Sequence, residues 1–293
     1  MKRALLVSCA VYLCACGSDD EGSGTGGTAG TSSGGSAGSS SGGSGGSATG
    51  GGAGVAAGGT GGSSPKIGAV TLRQSVSGST VSYQADAIFP DSDGDVLLTC
   101  TKQVEGSCTY QECTYTPQDG GAAVFASAGT ITITGGAETV TLTPESAGTY
   151  PAVSGQQLLW SDGASLSFKA SGDTVPAFEG TVVGAGAVSL TAPTLVSGMP
   201  LAVDRAKALD VQWTGGGSGS VWVLVATGSR QVACTFAAAA GMGKVPTTLL
   251  QKLSVGSGGL SVSSGDTTIA MAGVREVTLT ASVSGAAGDI TLQ

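Results

Sequence analysis

Residues 130–134 read Thr-Ile-Thr-Ile-Thr, and residues 139–143 read Thr-Val-Thr-Leu-Thr. In both stretches an apolar side chain alternates with threonine. A period of two places the apolar side chains on one face of a β-strand, and Thr, Val and Ile favour that conformation. Each stretch therefore predicts a strand with one buried face.

The same alternation recurs on both sides of these two stretches, with turn residues roughly every ten positions. The further strand candidates are residues 70–72, 81–83, 96–98, 166–168, 211–213, 221–225, 260–262 and 277–280. Helical patterns are confined to residues 202–209, where the pattern is weak, and to residues 246–253, which begin with a proline and place three leucines on one face. The predicted fold class is all-β.

The strand pattern is interrupted at Gly184-Ala185-Gly186 and at Pro193. We therefore expect two β-sandwich modules, residues 66–186 and residues 187–293. The second resembles an immunoglobulin- or fibronectin-type sandwich in its length and number of strand candidates.

Residues 17–65 consist almost entirely of Gly, Ser, Thr and Ala. Such a segment cannot bury enough apolar surface to offset the entropy of ordering it. We expect a disordered tether with an end-to-end distance of roughly 40 Å.

The N-terminus has the features of an export signal over residues 1–15. Lys2 and Arg3 precede an apolar run from Ala4 to Ala15. A helix of that length spans about 18 Å, which is short of the ~30 Å hydrocarbon core of a bilayer. The run is therefore predicted to be a signal peptide and not a membrane span.

The end of this run, Leu13-Cys14-Ala15-Cys16, resembles a bacterial lipobox. The resemblance implies cleavage before Cys16, acylation of the Cys16 sulfur, and a lipidated Cys16 followed by the tether over residues 16–65. Two or three acyl chains hold a protein firmly on a bilayer. An ordinary secretory signal with an unmodified Cys16 is the alternative.

Together with the tether, the lipobox makes the chain resemble Gly/Ser-tethered bacterial envelope lipoproteins. In such proteins an Asp directly after the lipidated Cys marks retention in the inner membrane. Gly17 and Ser18 stand there instead, which implies an outer-membrane protein that faces the periplasm or the exterior.

Composition excludes several functions. The chain has no His, which rules out Ser-His-Asp catalysis and His-based zinc hydrolysis, and it has no Asn. Its formal net charge is −8, and loss of Lys2 and Arg3 with the signal peptide makes the remainder more acidic. Nucleic acid is therefore not an expected partner.

Four cysteines follow the tether: Cys100, Cys108, Cys113 and Cys234. Exported proteins retain disulfides. A hairpin of residues 96–104 and 109–115 would place Cys100 opposite Cys113, and this link would stabilise the fold by about 3 kcal/mol. Cys108 would then pair with Cys234 or stay free, and the sequence allows all three pairings.

Asp91, Asp93 and Asp95 form a weak calcium candidate, because their carboxylates could offer hard oxygen ligands. The stretch resembles the start of an EF-hand loop but departs from it: Gly94 comes too early and Lys102 stands where a Glu belongs. The alternative is a hairpin turn made by Asp93-Gly94.

No pair among the other carboxylates is singled out as a glycosidase site. Trp160, Trp213 and Trp222 lie in apolar strands and are predicted to be core residues. Tyr110 and Tyr115, beside the cysteines, are better candidates for exposed contacts. The carboxylates are Glu112, Glu138, Glu145, Asp162, Asp173, Glu179, Asp204 and Asp210.

The sequence therefore favours a membrane-anchored, non-catalytic binding or adhesion module whose ligand is a protein or a glycan. The covalent lipid and the calcium candidate are the cofactors considered. One alternative is a secreted-type hydrolase, which needs two carboxylates about 5.5–9.5 Å apart in a cleft. The other is an envelope lipoprotein with a purely structural role.

Overall fold

The structure is a computed structural model that describes residues 66–91, 96–117, 124–145 and 148–293. The predicted signal peptide, Cys16 and the tether lie outside these ranges, as do Asp93 and Asp95. The side chains of residues 96–99 and 115–117 are also not described, so the exposed contact at Tyr115 stays a prediction.

The described part is all-β, which confirms the predicted fold class. Its helical structure is one turn of α-helix, α1 (Thr247–Leu250), and a 3-10 turn, Ala238–Ala240. The first matches the helix predicted over residues 246–253. The prediction of a helix over residues 202–209 is wrong, because this segment runs from the end of one strand to the start of the next. None of the helices described is long and apolar enough to cross a bilayer.

Within the described ranges, the largest sheet has ten strands: nine follow the order β3-β4-β14-β13-β16-β17-β1-β2-β7, and β11 also pairs with β17. Their bounds are β1 (Ile67–Ser77), β2 (Thr80–Ile88), β3 (Val96–Glu105), β4 (Cys108–Pro117), β7 (Val153–Gly155), β11 (Leu201–Val203), β13 (Ser220–Thr227), β14 (Arg230–Ala237), β16 (Gly256–Ala272) and β17 (Arg275–Leu292).

Two smaller sheets pack against it. One has the order β6-β5-β8-β9, and the other has the order β10-β12-β15. Their bounds are β5 (Ile131–Thr134), β6 (Val140–Leu142), β8 (Ser165–Ala170), β9 (Phe178–Val183), β10 (Val188–Ala192), β12 (Leu209–Gly215) and β15 (Met242–Val245). The strands that decided the fold class from sequence are thus β5 and β6, which are adjacent and antiparallel.

The buried apolar residues form two cores. The first core joins one part of the large sheet to the four-stranded sheet and contains Leu72, Phe89 and Phe168. The second core joins another part of the large sheet to the three-stranded sheet and α1, and it contains Val223 and Leu250.

The long hairpin of β16 and β17 belongs to both cores. Ala270 and Val277 are buried in the first core, whereas Leu260 and Ile290 are buried in the second. β17 has 18 residues, which is about 60 Å at ~3.4 Å per residue. One strand is therefore long enough to pass along both cores.

This arrangement differs from the predicted division into residues 66–186 and 187–293. Cys108 lies in the first predicted module but packs in the second core, while Val277 to Val283 lie in the second module and contribute to the first core. Alternation shows which residues of a strand are buried, but it does not show which distant strand covers them.

Candidate binding site

The face of the large sheet that points away from the second core carries a site that the sequence did not reveal. On β13, Val221, Val223 and Val225 are buried in the second core. Successive side chains of a strand point to opposite faces. Trp222, Leu224 and Ala226 are therefore on the other side, where they are only partly buried; we call this side the outer face.

The strand register arranges outer-face residues in two rows across three strands. In one row Leu224 is opposite Ser261, which is opposite Ala287. In the other row Ala226 is opposite Gly259, which is opposite Asp289. These six residues form the floor of a groove.

The wall of the groove is the turn of residues 195–198, where Val196 bridges to Met199. β1 pairs with β17 up to Ser284, and β11 pairs with it from Ile290 onward. Between these two pairings Leu195 of the turn lies beside β17, because a Cβ atom added to Gly288 would meet it at 3.3 Å. The floor and this turn enclose a cavity of about 710 Å³, which we call the outer groove.

Small side chains keep the floor low. A Cβ atom added to Gly259 would meet no atom within 4 Å, so the space above this residue is open. Ala226 and Ala287 add only methyl groups. A flat ligand could therefore lie close to the backbone of β13, β16 and β17.

The polar groups of the lining are few. Ser197 and Ser261 supply hydroxyls, Asp289 supplies one carboxylate, and no Lys or Arg of the part that the structure describes lines the groove. Hydroxyls donate and accept hydrogen bonds, whereas a carboxylate accepts. The groove can therefore pair with an uncharged polar ligand, and its charge disfavours an anion.

Two glutamine side chains extend the second row past the floor. Gln231 is opposite Ala226, and Gln111 is opposite Gln231. Nε2 of Gln231 donates to Oε1 of Gln111 at 3.5 Å, and Nε2 of Gln111 donates to Sγ of Cys113 at 3.0 Å. Partly buried amides thus continue the polar surface beside the groove.

Trp222 follows the groove along β13, two residues before Leu224. The six-membered ring of its indole lies against the backbone of Gly265, where a Cβ atom would overlap it. The prediction that all three tryptophans are core residues is confirmed for Trp160 and Trp213 and is wrong for Trp222. The continuous apolar run over residues 221–225 suggested a strand covered on both faces, whereas Trp222 lies partly exposed on the outer face.

Tyr110 was a candidate for an exposed contact, and the structure places it elsewhere. Its side chain is buried in the second core, and its hydroxyl donates to Oε2 of Glu112 at 2.9 Å. Burial, followed by this hydrogen bond, raises the pKa of Tyr110. The residue therefore supports the sheet from its inner side.

The cysteines form two disulfides on opposite faces of the sheet. Cys100 and Cys113 are opposite each other in the predicted β3–β4 hairpin and are linked. Cys108, which the sequence left for Cys234 or free, is linked to Cys234 inside the second core. The two links join β3 to β4 and β4 to β14, and β14 pairs with β13 of the groove floor.

Asp91 is held by two cations. Its Oδ1 accepts from Nζ of Lys66 at 2.6 Å and from Nη2 of Arg275 at 2.9 Å. The hydrogen bond from Lys66, together with both positive charges, lowers the pKa of Asp91. The described residues contain no cluster of three metal-ligating side chains. The calcium site stays a prediction, since Asp93 and Asp95 lie outside the description.

Most of the scattered carboxylates have structural partners. Tyr83 donates to Oε1 of Glu138, and this hydrogen bond, with burial, raises the pKa of Tyr83 to about 12. Asp162 accepts from the backbone N–H of Ser218 at 3.2 Å. The other pairs are Glu112 with Arg230, Asp204 with Lys207, and Asp210 with Lys244. Asp289 in the groove was not among the sequence candidates, because nothing in its local pattern distinguishes it.

No protein-family model matches the sequence, and no curated protein matches it. Two solved structures are similar to the chain. One is a calcium-stabilised adhesin that helps an Antarctic bacterium to reach out and bind ice, at 14% identity and a TM-score of 0.21. The other is a tetra-tandem repeat in the extending region of a large adhesion protein, at 15% identity and a TM-score of 0.21.

These likenesses cover 72% and 76% of this chain. The chain spans 57% of the first structure and 74% of the second. TM-scores of this size do not establish a shared fold, so neither likeness bears on what this chain does.

Proposed function

We propose that the chain is a lipid-anchored envelope protein that displays a non-catalytic binding module, and that the outer groove is its ligand site. The observation that carries the binding role is the groove itself: an open cavity of about 710 Å³ on a sheet face braced by two disulfides. Ligand sites are concave, largely preformed and lined mainly by apolar groups with a few polar ones.

The chemistry of the lining supports binding over turnover. Ser197 and Ser261 are the hydroxyls, and the chain has no His that could activate either of them. Among the described residues, Asp289 is the single carboxylate of the lining, whereas hydrolysis of a glycoside by carboxylates requires two. These groups can hold and orient a ligand.

The anchor rests on the sequence, through Cys16 in Leu13-Cys14-Ala15-Cys16 and the Gly/Ser tether that follows. Acyl chains on one sulfur would hold the protein on the outer membrane. The tether would separate the binding module from the lipid surface by roughly 40 Å.

The anchor is tested by fractionation of native cells that express the chain or its Cys16→Ser variant. The native chain should sediment with the membranes and carry a diacylated N-terminal Cys16 by mass spectrometry. Cys16→Ser should appear in the soluble fraction. An unacylated, soluble native product would contradict the anchor.

The binding role is tested with the full Cys16→Ser chain, labelled with a fluorophore and titrated onto isolated envelopes of the host. We expect saturable binding that Gly259→Leu abolishes, because leucine would fill the open space above the floor. Non-saturable binding, or binding that Gly259→Leu leaves unchanged, would contradict the role of the groove.

A further inference from the structure

We infer that the ligand of the outer groove is a neutral oligosaccharide, which lies on the groove floor and extends over the indole of Trp222. This inference rests on the proposed binding role and names the chemical class of the ligand. It follows from the dimensions, the hydrogen-bonding groups and the charge of the described residues.

The dimensions suit a short chain of sugar rings. Small-molecule sites occupy roughly 300–1,000 Å³, and the outer groove has about 710 Å³. Three strands at ~4.8 Å and two rows at ~7 Å give a floor of about 10 Å by 7 Å. A protein partner needs about 800 Å² on each side, which is several times this floor area.

The chemistry of the floor matches the two kinds of surface on a sugar ring. Such a ring has an apolar C–H face and a rim of hydroxyl groups. Leu224, Ala226 and Ala287 offer apolar contacts to the face, and the absence of a side chain at Gly259 lets the ring approach the backbone. At the rim, Ser261 can donate or accept, and Asp289 can accept from sugar hydroxyls.

The charge of the lining selects among sugars. Asp289 is an anion, and among the described residues no Lys or Arg lines the groove to neutralise a carboxylate or sulfate on the ligand. Like charges that face each other across an interface are unfavourable. Neutral glycans are therefore favoured over uronic-acid and sulfated polymers.

Trp222 lengthens the site. It is two residues from Leu224 on the same face, which places it about 7 Å further along β13. Its indole is partly exposed and offers an apolar surface to a ligand. Ser263 is opposite Trp222, Ser284 is opposite Ser263, and Thr235 is opposite Trp222 on its other side. Hydroxyl groups thus flank the indole where further sugar units would extend.

The test is isothermal titration of the full chain, purified in detergent, with six-residue oligomers of defined chemistry. The neutral probes are cellohexaose, maltohexaose, mannohexaose and xylohexaose, and the anionic probes are hyaluronan and heparin hexasaccharides. The variants are Gly259→Leu, which fills the groove, and Trp222→Ala, which removes the indole. The matched control is Thr278→Leu, which also adds a leucine to the outer face but lies at the other end of β17.

We expect at least one neutral hexasaccharide to bind, and Gly259→Leu to weaken its binding by at least about tenfold. Trp222→Ala should weaken binding of the hexasaccharide more than that of the corresponding disaccharide. Thr278→Leu should bind like the native chain. Circular dichroism melting of Gly259→Leu should match the native chain, because the new side chain meets no atom at its Cβ position.

The inference is overturned if no neutral probe binds, if an anionic probe binds more tightly, or if Gly259→Leu binds as well as Thr278→Leu. Its failure can be told apart from failure of the proposed function. Binding to envelopes that Gly259→Leu abolishes, together with no binding of neutral probes, overturns the glycan inference alone. If the native chain binds neither envelopes nor any neutral probe, both the glycan inference and the proposed binding function are overturned.

Discussion

The two cores of this molecule share a tryptophan arrangement but are held together differently. In the first core, Nε1 of Trp160 donates to the carbonyl of Ala185 at 3.1 Å, and in the second, Nε1 of Trp213 donates to the carbonyl of Ala238 at 3.0 Å. Each carbonyl lies 25 residues after its tryptophan. Beyond this likeness, the first core relies on buried hydrogen bonds and the second on a disulfide.

Gln74 is the central polar residue beside the first core. Its Oε1 accepts from the backbone N–H groups of Leu159 and Trp160, at 2.8 Å and 3.2 Å, and the side chain is almost fully buried. In the second core the corresponding long-range link is covalent. It is the disulfide of Cys108 and Cys234, which are 126 residues apart in sequence. β14, which carries Cys234, pairs with β13 of the groove floor, and a rigid neighbouring strand suits a binding site.

The largest expected effect is loss of the link inside the second core. Cys108→Ala with Cys234→Ala should lower the free energy of unfolding by about 5 kcal/mol, because the disulfide closes a loop of more than a hundred residues in the denatured chain. Equilibrium urea denaturation measures this change. The disulfide of Cys100 and Cys113 is called the outer disulfide below. If removing Cys108–Cys234 lowers the free energy of unfolding less than removing the outer disulfide does, the loop-length argument is contradicted.

The outer disulfide supplies the comparison. Cys100→Ala with Cys113→Ala removes a link between residues that are 13 apart in sequence, for which about 3 kcal/mol is expected. The same urea experiment measures it. Since the β3–β4 hairpin lies at the edge of the sheet, its amides should also exchange hydrogen faster in this variant. Unchanged exchange in the hairpin would show that the link does not hold the edge.

The buried glutamine tests the first core. Gln74→Leu would leave the N–H groups of Leu159 and Trp160 without an acceptor, at a cost of about 2 kcal/mol. Gln84→Leu, at an exposed position on the adjacent β2, is the control and should change stability by no more than about 0.5 kcal/mol. Equal melting temperatures for the two variants would refute the role of Gln74.

The smallest expected effect is at Asp91, beside the first core. Its pKa is lowered in the folded protein, so its contribution to stability is present above the unfolded-state pKa of about 3.9 and is lost as the pH falls through the folded-state value. Asp91→Asn should therefore cost about 1 kcal/mol between pH 5 and pH 7. The difference from the native chain should shrink below pH 4. Urea denaturation at each pH measures this stability difference. A difference that grows as the pH falls would contradict the predicted pH dependence.

The sequence predicted those features that depend on contiguous residues. The alternation in β5 and β6, and the hairpin that places Cys100 opposite Cys113, are both local. Features that depend on distant pairing were not predictable in the same way. The long β16–β17 hairpin reads as two separate strand patterns, and nothing in either pattern shows that it passes along both cores.

The candidate site was hidden for the same reason. Gly259, Leu224 and Ala287 are unremarkable in sequence and become a groove only through the register of three strands. Trp222 was predicted to be a core residue and Tyr110 was a candidate for exposure, because an apolar run and a neighbouring cysteine do not indicate which face of a strand is covered. A change of one residue in strand register moves every side chain of that strand to the opposite face, and the pairing of distant strands cannot be read from either strand alone.

Acrylamide quenching of tryptophan fluorescence tests the central claim most directly, because Trp160 and Trp213 are buried and Trp222 is partly exposed. With the full chain and its best neutral hexasaccharide, the account predicts that the quenchable fraction belongs to Trp222 and falls when the ligand binds. In Gly259→Leu, the hexasaccharide should no longer protect Trp222 from quenching by acrylamide. Protection that is absent in the native chain, or that persists in Gly259→Leu, would contradict the account.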